Sequence, residues 1–157
     1  LQMAAETAQA CPAIPTHIFL QAGVGGMAGA VAAFARRVWG DAPRIIVVEP
    51  EAAPALQASI AAGRAVFADG PDSSMGRLDC KEASLIALKG LARDANVFLT
   101  ISEAEGATGA AVAETVGLPS TPSGAGGLAG LLATEPAALG LDASSRVLLI
   151  LSEGPET

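Results

Sequence analysis

The 157-residue chain has the length of one domain, and its 51% hydrophobic content is enough for one buried core. With 3% aromatic residues and no Tyr, that core must be built mainly from Ala, Leu, Val and Ile. A formal net charge of -7, with Arg and Lys scattered singly, argues against nucleic acid or an anionic membrane as partner.

No apolar run reaches the roughly 18–20 residues that cross a bilayer. The N-terminus lacks the basic and apolar regions of a signal peptide. Cys11 and Cys80 belong to no Cys-x-x-Cys pair and read as free thiols in a reducing cytoplasm, with no zinc site.

In chain order, Leu1 to Ala10 reads as the last turns of a helix. The chain is therefore expected to be a piece of a larger protein, with 1–157 forming a single partial domain. His17 to Ala22 is a short apolar run ending in glycines, hence a buried strand. Met27 to Trp39 carries Val31, Phe34, Ala35 and Val38 at the spacing of one helical face. Trp39 is expected to pack, and His17 to be a core or edge histidine.

Arg44 to Glu49 is a second strand, whose Ile-Ile-Val-Val centre suits a parallel sheet covered on both faces. A helix runs from about Pro54 to Ala62, stopped by Gly63. Ala65 to Phe67 reads as a short strand and Asp69 to Asp79 as a loop. Lys81 to Arg93 reads as a helix, with Leu85, Leu88 and Leu91 or Ala92 inward and Lys81, Lys89 and Arg93 in solvent. Asn96 to Ile101 is the next strand. Ser102 and Glu105 form a capping box for a helix reaching about Val116. After a loop at Pro119 to Gly124 comes a short helix to about Ala133. Arg146 to Leu151 is the last strand, ending in Ser152-Glu153-Gly154.

Strands and helices alternating in this way predict an α/β fold, a three-layer, mostly parallel sheet with helices on both faces. Ligands of such sheets sit outside the carboxyl ends of the strands. Three stretches lie there: Gly23 to Met27, the region after Glu49, and Ser152 to Gly154.

Gly23-Val24-Gly25-Gly26-Met27 follows a strand and opens a helix. Its bare backbone N–H groups and the positive end of the helix dipole suit a phosphate. Gly23-x-Gly25-x-x-Ala28 also meets the dinucleotide fingerprint, with Glu49 at the distance of a ribose ligand, or else a solvated carboxylate at a strand end. Spacing alone leaves a nucleotide and another phosphate ester nearly level.

Further blocks carry a family resemblance. Thr16 to Ala28, with Leu20-Gln21-Ala22-Gly23-Val24-Gly25-Gly26-Met27, resembles the phosphate-loop segment of diaminopropionate ammonia-lyases, which are fold-type II pyridoxal-phosphate enzymes. Val47-Val48-Glu49-Pro50-Glu51 is similar to their next strand. Ser74 to Ser84 and Pro122 to Leu128 resemble two further blocks, and Ser145 to Gly154 the final strand and turn. The blocks stand in family order over nearly the whole chain. Arg77 and Lys81 depart from it, standing where small residues are usual. Pro122 replaces an acidic residue, as in threonine dehydratases.

The resemblance implies pyridoxal 5'-phosphate as cofactor, with its phosphate on Gly23, Val24, Gly25, Gly26 and Met27 and its pyridine nitrogen facing Ser152. It implies α,β-elimination from 2,3-diaminopropionate, a small amino-acid substrate, and a homodimeric complete enzyme. The Schiff-base lysine is expected upstream. None of the catalytic residues is then expected in this chain, because neither Lys81 nor Lys89 matches that position. The loop from Ser74 to Asp79 is expected on the substrate side of the cleft.

Overall fold

The computed structural model describes residues 2–155; Leu1, expected in the first helix, and Glu156 and Thr157 lie outside the described residues. The elements are α1 (Gln2–Ala10), β1 (His17–Gln21), α2 (Gly26–Trp39), β2 (Arg44–Pro50), α3 (Ala55–Ala62), α4 (Leu85–Asp94), β3 (Val97–Ile101), α5 (Glu103–Thr115), α6 (Gly126–Ala133) and β4 (Val147–Leu149). The four strands form one parallel sheet in the order β3-β2-β1-β4.

Each strand alternates its side chains between two apolar layers, as the pleat requires. Ile18 and Leu20 of β1 and Ile45 and Val47 of β2 meet α2, α4 and Leu56 of α3 on one face. Phe19, Ile46, Val48 and Ile101 meet Ala129 of α6 on the other. Trp39 packs against the first layer, as expected. The layers are held by burial of these side chains, each contributing on the order of 1.5–3 kcal/mol. The expected α/β sheet with helices on both faces is the observed one.

Polar groups close the amino-terminal edge. His17 is buried, its Nε2 lying 2.7 Å from the Leu139 carbonyl and its Nδ1 2.8 Å from Thr16 Oγ1. It is the edge histidine expected. Arg36 donates to the Asp94 and Pro43 carbonyls and to Asn96 Oδ1, tying the end of α2 to the starts of β2 and β3.

Three expectations change. Ala65 to Phe67 has no strand partner, and Phe67 is exposed. α4 starts at Leu85 rather than Lys81, because the Ser84 hydroxyl caps it by accepting from Ala87 N–H. Leu85 and Ala92 therefore face solvent, while Leu88 and Leu91 point inward. A short 3-10 helix at Pro136–Leu139 adds an element that no apolar spacing announced. The capping box of Ser102 and Glu105 forms as expected, with both reciprocal bonds present.

Candidate functional site

Strand order fixes where the site lies. From β1 the chain steps outward to β2 and β3, then returns past β1 to β4 on its other side. That reversal leaves a crevice at the carboxyl end of β1, where the turns after β1 and β4 are neighbours.

The glycine loop fills one wall. Gly25 has φ 93 and ψ 4, a left-handed conformation that strains any residue with a Cβ. A Cβ there would also approach Ala87 Cβ to 3.0 Å, and one on Gly23 would lie 2.7 Å from the Arg77 carbonyl oxygen. Bare backbone is thus the only chain that makes this turn. α2 has no side-chain cap at its start, and the Gly29 N–H bonds the Gly25 carbonyl at 2.8 Å. The N–H groups of Gly26, Met27 and Ala28 precede that first turn and carry the positive end of the helix.

Gly23, Val24, Gly25, Gly26 and Met27 line one cavity of about 220 Å³ together with Ser152, some 130 residues away in sequence. Gln21, Leu78 and Cys80 complete the wall, and Arg77 is its one formally charged residue.

Sequence reasoning missed Gln21, Glu153 and the use of Arg77. Gln21 ends β1 on the α6 face and is 2% exposed. Its Nε2 lies 2.8 Å from the Gly124 and Ile150 carbonyls and 3.0 Å from Ser152 Oγ. An amide at an inward position of an otherwise apolar strand was the available signal. Arg77 pairs with the Glu153 carboxylate, which also accepts from Thr121 Oγ1, so the turn carrying Ser152 is pinned from two sides. The Ser73–Met75 segment is held in turn by Glu103, which accepts from Ser73 Oγ and Ser74 N–H. These bonds, the Ser73 hydroxyl first, hold the Glu103 carboxyl below its usual range.

Glu49 belongs to neither reading made of it. It is fully buried, and its two oxygens accept from Leu56 N–H at 2.7 Å and Gln57 N–H at 2.8 Å. It anchors the start of α3 and, being fully buried, presents no oxygen to a ribose, which removes the dinucleotide fingerprint's acidic partner. Burial pushes its carboxyl up to about 7, against the pull of those two N–H donors.

Lys81 is likewise no solvated surface charge. Its ammonium reaches the Ala52 and Pro71 carbonyls at 2.8 and 2.6 Å and Asp79 at 2.6 Å, and the contact with Lys81 holds the Asp79 carboxyl low. Lys89 is exposed on α4, as expected. Neither lysine lines the glycine cavity. Both cysteines are free. Among the described residues no helix is long and apolar enough to cross a membrane.

An open parallel sheet with a glycine-walled cavity at its switch point defines the class. The pyridoxal-phosphate dependent enzyme family matches residues 2–153, and the chain belongs to that family, whose cofactor is pyridoxal 5'-phosphate. Within it, the chain is 32% identical over 168 residues to the diaminopropionate ammonia-lyase of Salmonella typhimurium, covering 90% of this chain and 39% of that protein. It also superposes on the crystal structure of diaminopropionate ammonia-lyase from Escherichia coli in complex with D-serine, with a TM-score of 0.84 and 28% identity, over 98% of this chain and 42% of that one. Maize serine racemase shares the fold, with a TM-score of 0.88 and 22% identity over 99% of this chain and 48% of that one. The chain thus spans about two fifths of the length of the ammonia-lyases it matches.

Proposed function

We propose that this chain is the cofactor-phosphate side of a pyridoxal-phosphate ammonia-lyase that eliminates ammonia from 2,3-diaminopropionate to give pyruvate. The observation that carries the reading is the shared cavity of Gly23, Val24, Gly25, Gly26, Met27 and Ser152 at the ends of adjacent strands. The residues present fit a phosphate ester. The wall has no Cβ at the glycines, the helix start has no cap of its own, and the only formal charge is the Arg77 guanidinium.

In this reading the N–H groups from Gly23 to Ala28 hold the phosphate, and the Ser152 hydroxyl faces the pyridine nitrogen. When bound, the cofactor supplies an electron sink for the substrate's α-carbon. This chain's residues fix the position of that sink through its phosphate and its ring nitrogen. A hydroxyl, rather than a carboxylate, opposite the ring nitrogen leaves that nitrogen largely neutral, which suits prompt expulsion of a β-leaving group. The Ser74–Asp79 loop, through Arg77 and Leu78, stands on the substrate side. The covalent lysine is expected from an upstream segment, since Lys81 is spent on carbonyl oxygens and Asp79. Dimeric assembly is carried over from the same resemblance, and a cytoplasmic setting from the two free thiols.

The test is pyruvate release from 2,3-diaminopropionate with added pyridoxal phosphate. The chain alone should give none, and activity should appear when an upstream, lysine-bearing half is supplied. Turnover by the chain alone, or none from the reconstituted enzyme, would contradict the reading.

A further inference from the structure

Ser152 offers the cavity a hydroxyl, and a hydroxyl can either donate or accept. Which of the two it does there depends on what holds its oxygen from behind. That group is the Gln21 amide, buried at the end of β1 with Nε2 3.0 Å from Ser152 Oγ. The orientation of the amide is fixed by its other neighbours. Nε2 has two protons for three acceptors, the Gly124 and Ile150 carbonyls at 2.8 Å and Ser152 Oγ, so the serine oxygen shares one of them; turning the amide over would set its oxygen against both carbonyls. Oε1 meanwhile is buried without a hydrogen-bond partner, so the arrangement is retained although it leaves that oxygen unsatisfied. An amide nitrogen cannot accept, so the Ser152 proton cannot point back toward Gln21. It points away, and Ser152 lines the cavity on that side.

We propose that Gln21 is a positioning residue that turns the Ser152 hydroxyl outward as a donor, so that the cavity selects a ring atom with a free lone pair. The inference rests on the reading of Ser152 given under Proposed function and names the residue that sets its direction. For a pyridine ring the selected form is the neutral nitrogen; a pyridinium N–H would meet the Ser152 proton head on. The Glu153 carboxylate, next to Ser152 in the chain, is engaged by Arg77 and Thr121 Oγ1, and Arg77 is the one charge on the cavity wall. Neither offers the ring nitrogen a counter-ion that would favour its protonation.

Pyridoxine 5'-phosphate is the suitable probe, because it has the ring and the phosphate but no aldehyde and so needs no lysine. Its binding to the full 157-residue chain is compared by calorimetry with that of its 1-deaza analogue, whose ring carries CH in place of nitrogen. The ring-nitrogen 15N shift of the bound probe is followed from pH 5 to 9. The wild-type chain should prefer the nitrogen-bearing ring about five- to tenfold, the equivalent of one ordinary hydrogen bond. Its bound ring nitrogen should take up a proton at a pH about one unit below that seen in Gln21→Met. Gln21→Met should lose the preference and leave the affinity for the deaza analogue unchanged, a pattern that mere loosening of the site does not produce. If Gln21→Met fails to fold, Gln21→Asn carries the same readout, since it keeps an amide beside the carbonyls but withdraws it from Ser152. A wild-type preference that survives either substitution overturns the role of Gln21 and leaves the proposed function standing. Equal wild-type binding of the two probes, or binding of neither, overturns the reading of the site and the inference with it.

Discussion

Among the described residues α2, α3 and α5 each start just past the carboxyl end of a strand, and the first two treat their unpaired N–H groups in opposite ways. α2, after β1, starts at a left-handed glycine with no side-chain cap, beside a cavity walled by bare backbone. α3, after β2, starts over the buried carboxylate of Glu49, which takes the Leu56 and Gln57 N–H groups itself. Both ends attract an anion for the same electrostatic reason. One is closed by a carboxyl group of its own chain, and in the proposed function the other is left for an anion from outside. The glycine fingerprint and the acidic residue one strand later, which together resemble a nucleotide site in sequence, are thus an open site and a closed one.

The comparison can be broken at either end. Gly25→Asp should have the largest effect, because it sets a side chain against Ala87 in a left-handed conformation and brings a carboxylate to the α2 start. Affinity for pyridoxine 5'-phosphate should fall by at least about 100-fold, from lost N–H bonds to a charged group and added repulsion; titration calorimetry measures it. Glu49→Ala should act on the fold instead. Two buried N–H groups lose their acceptor, at about 2–4 kcal/mol in unfolding free energy. Denaturant melts would register that loss, while phosphate affinity stays within twofold of wild type.

Glu49 also sets a pH slope. Its folded value of about 7 lies above the ordinary 4.5, so between these values the folded chain keeps a proton that the unfolded chain has released. Its contribution to stability is therefore fullest below about 4.5, falls as pH rises, and is lost above about 7. Unfolding midpoints at pH 5 and 8 should differ less in Glu49→Gln than in wild type, and an unchanged difference would remove Glu49 as the cause. At the open end, Arg77→Ala should have the smallest effect. Its guanidinium is largely exposed and already paired with Glu153, so phosphate binding should weaken about two- to threefold, and less at high salt.

Much of this was legible in the sequence. The apolar runs of β1 and β2 and the glycines before α2 announced a parallel sheet with a glycine-lined cavity at a strand end. Ordered blocks of resemblance placed Ser152 in the same site, which only the pairing of β1 with β4 could then bring within reach of Gly23. What the sequence concealed depends on which way polar groups face. Glu49 stands at a strand end before Pro50, where a carboxylate usually meets water, and burial beneath α3 is a property of packing. Lys81 continued a helical spacing that the Ser84 cap cuts short, and its ammonium folds back onto carbonyl oxygens. Gln21 lies within an apolar strand, and its role comes from Gly124 and Ile150, more than 100 residues later in the chain.

The contrast between the two helix starts is tested most directly by backbone amide shifts of the chain during titration with pyridoxine 5'-phosphate. The account predicts saturable shifts that are largest from Gly23 to Ala28, with Ser152 following and the Leu56 and Gln57 amides unmoved. Shifts centred on Leu56 and Gln57, or a Gly23 to Ala28 segment that ignores the ligand at saturation, would contradict it.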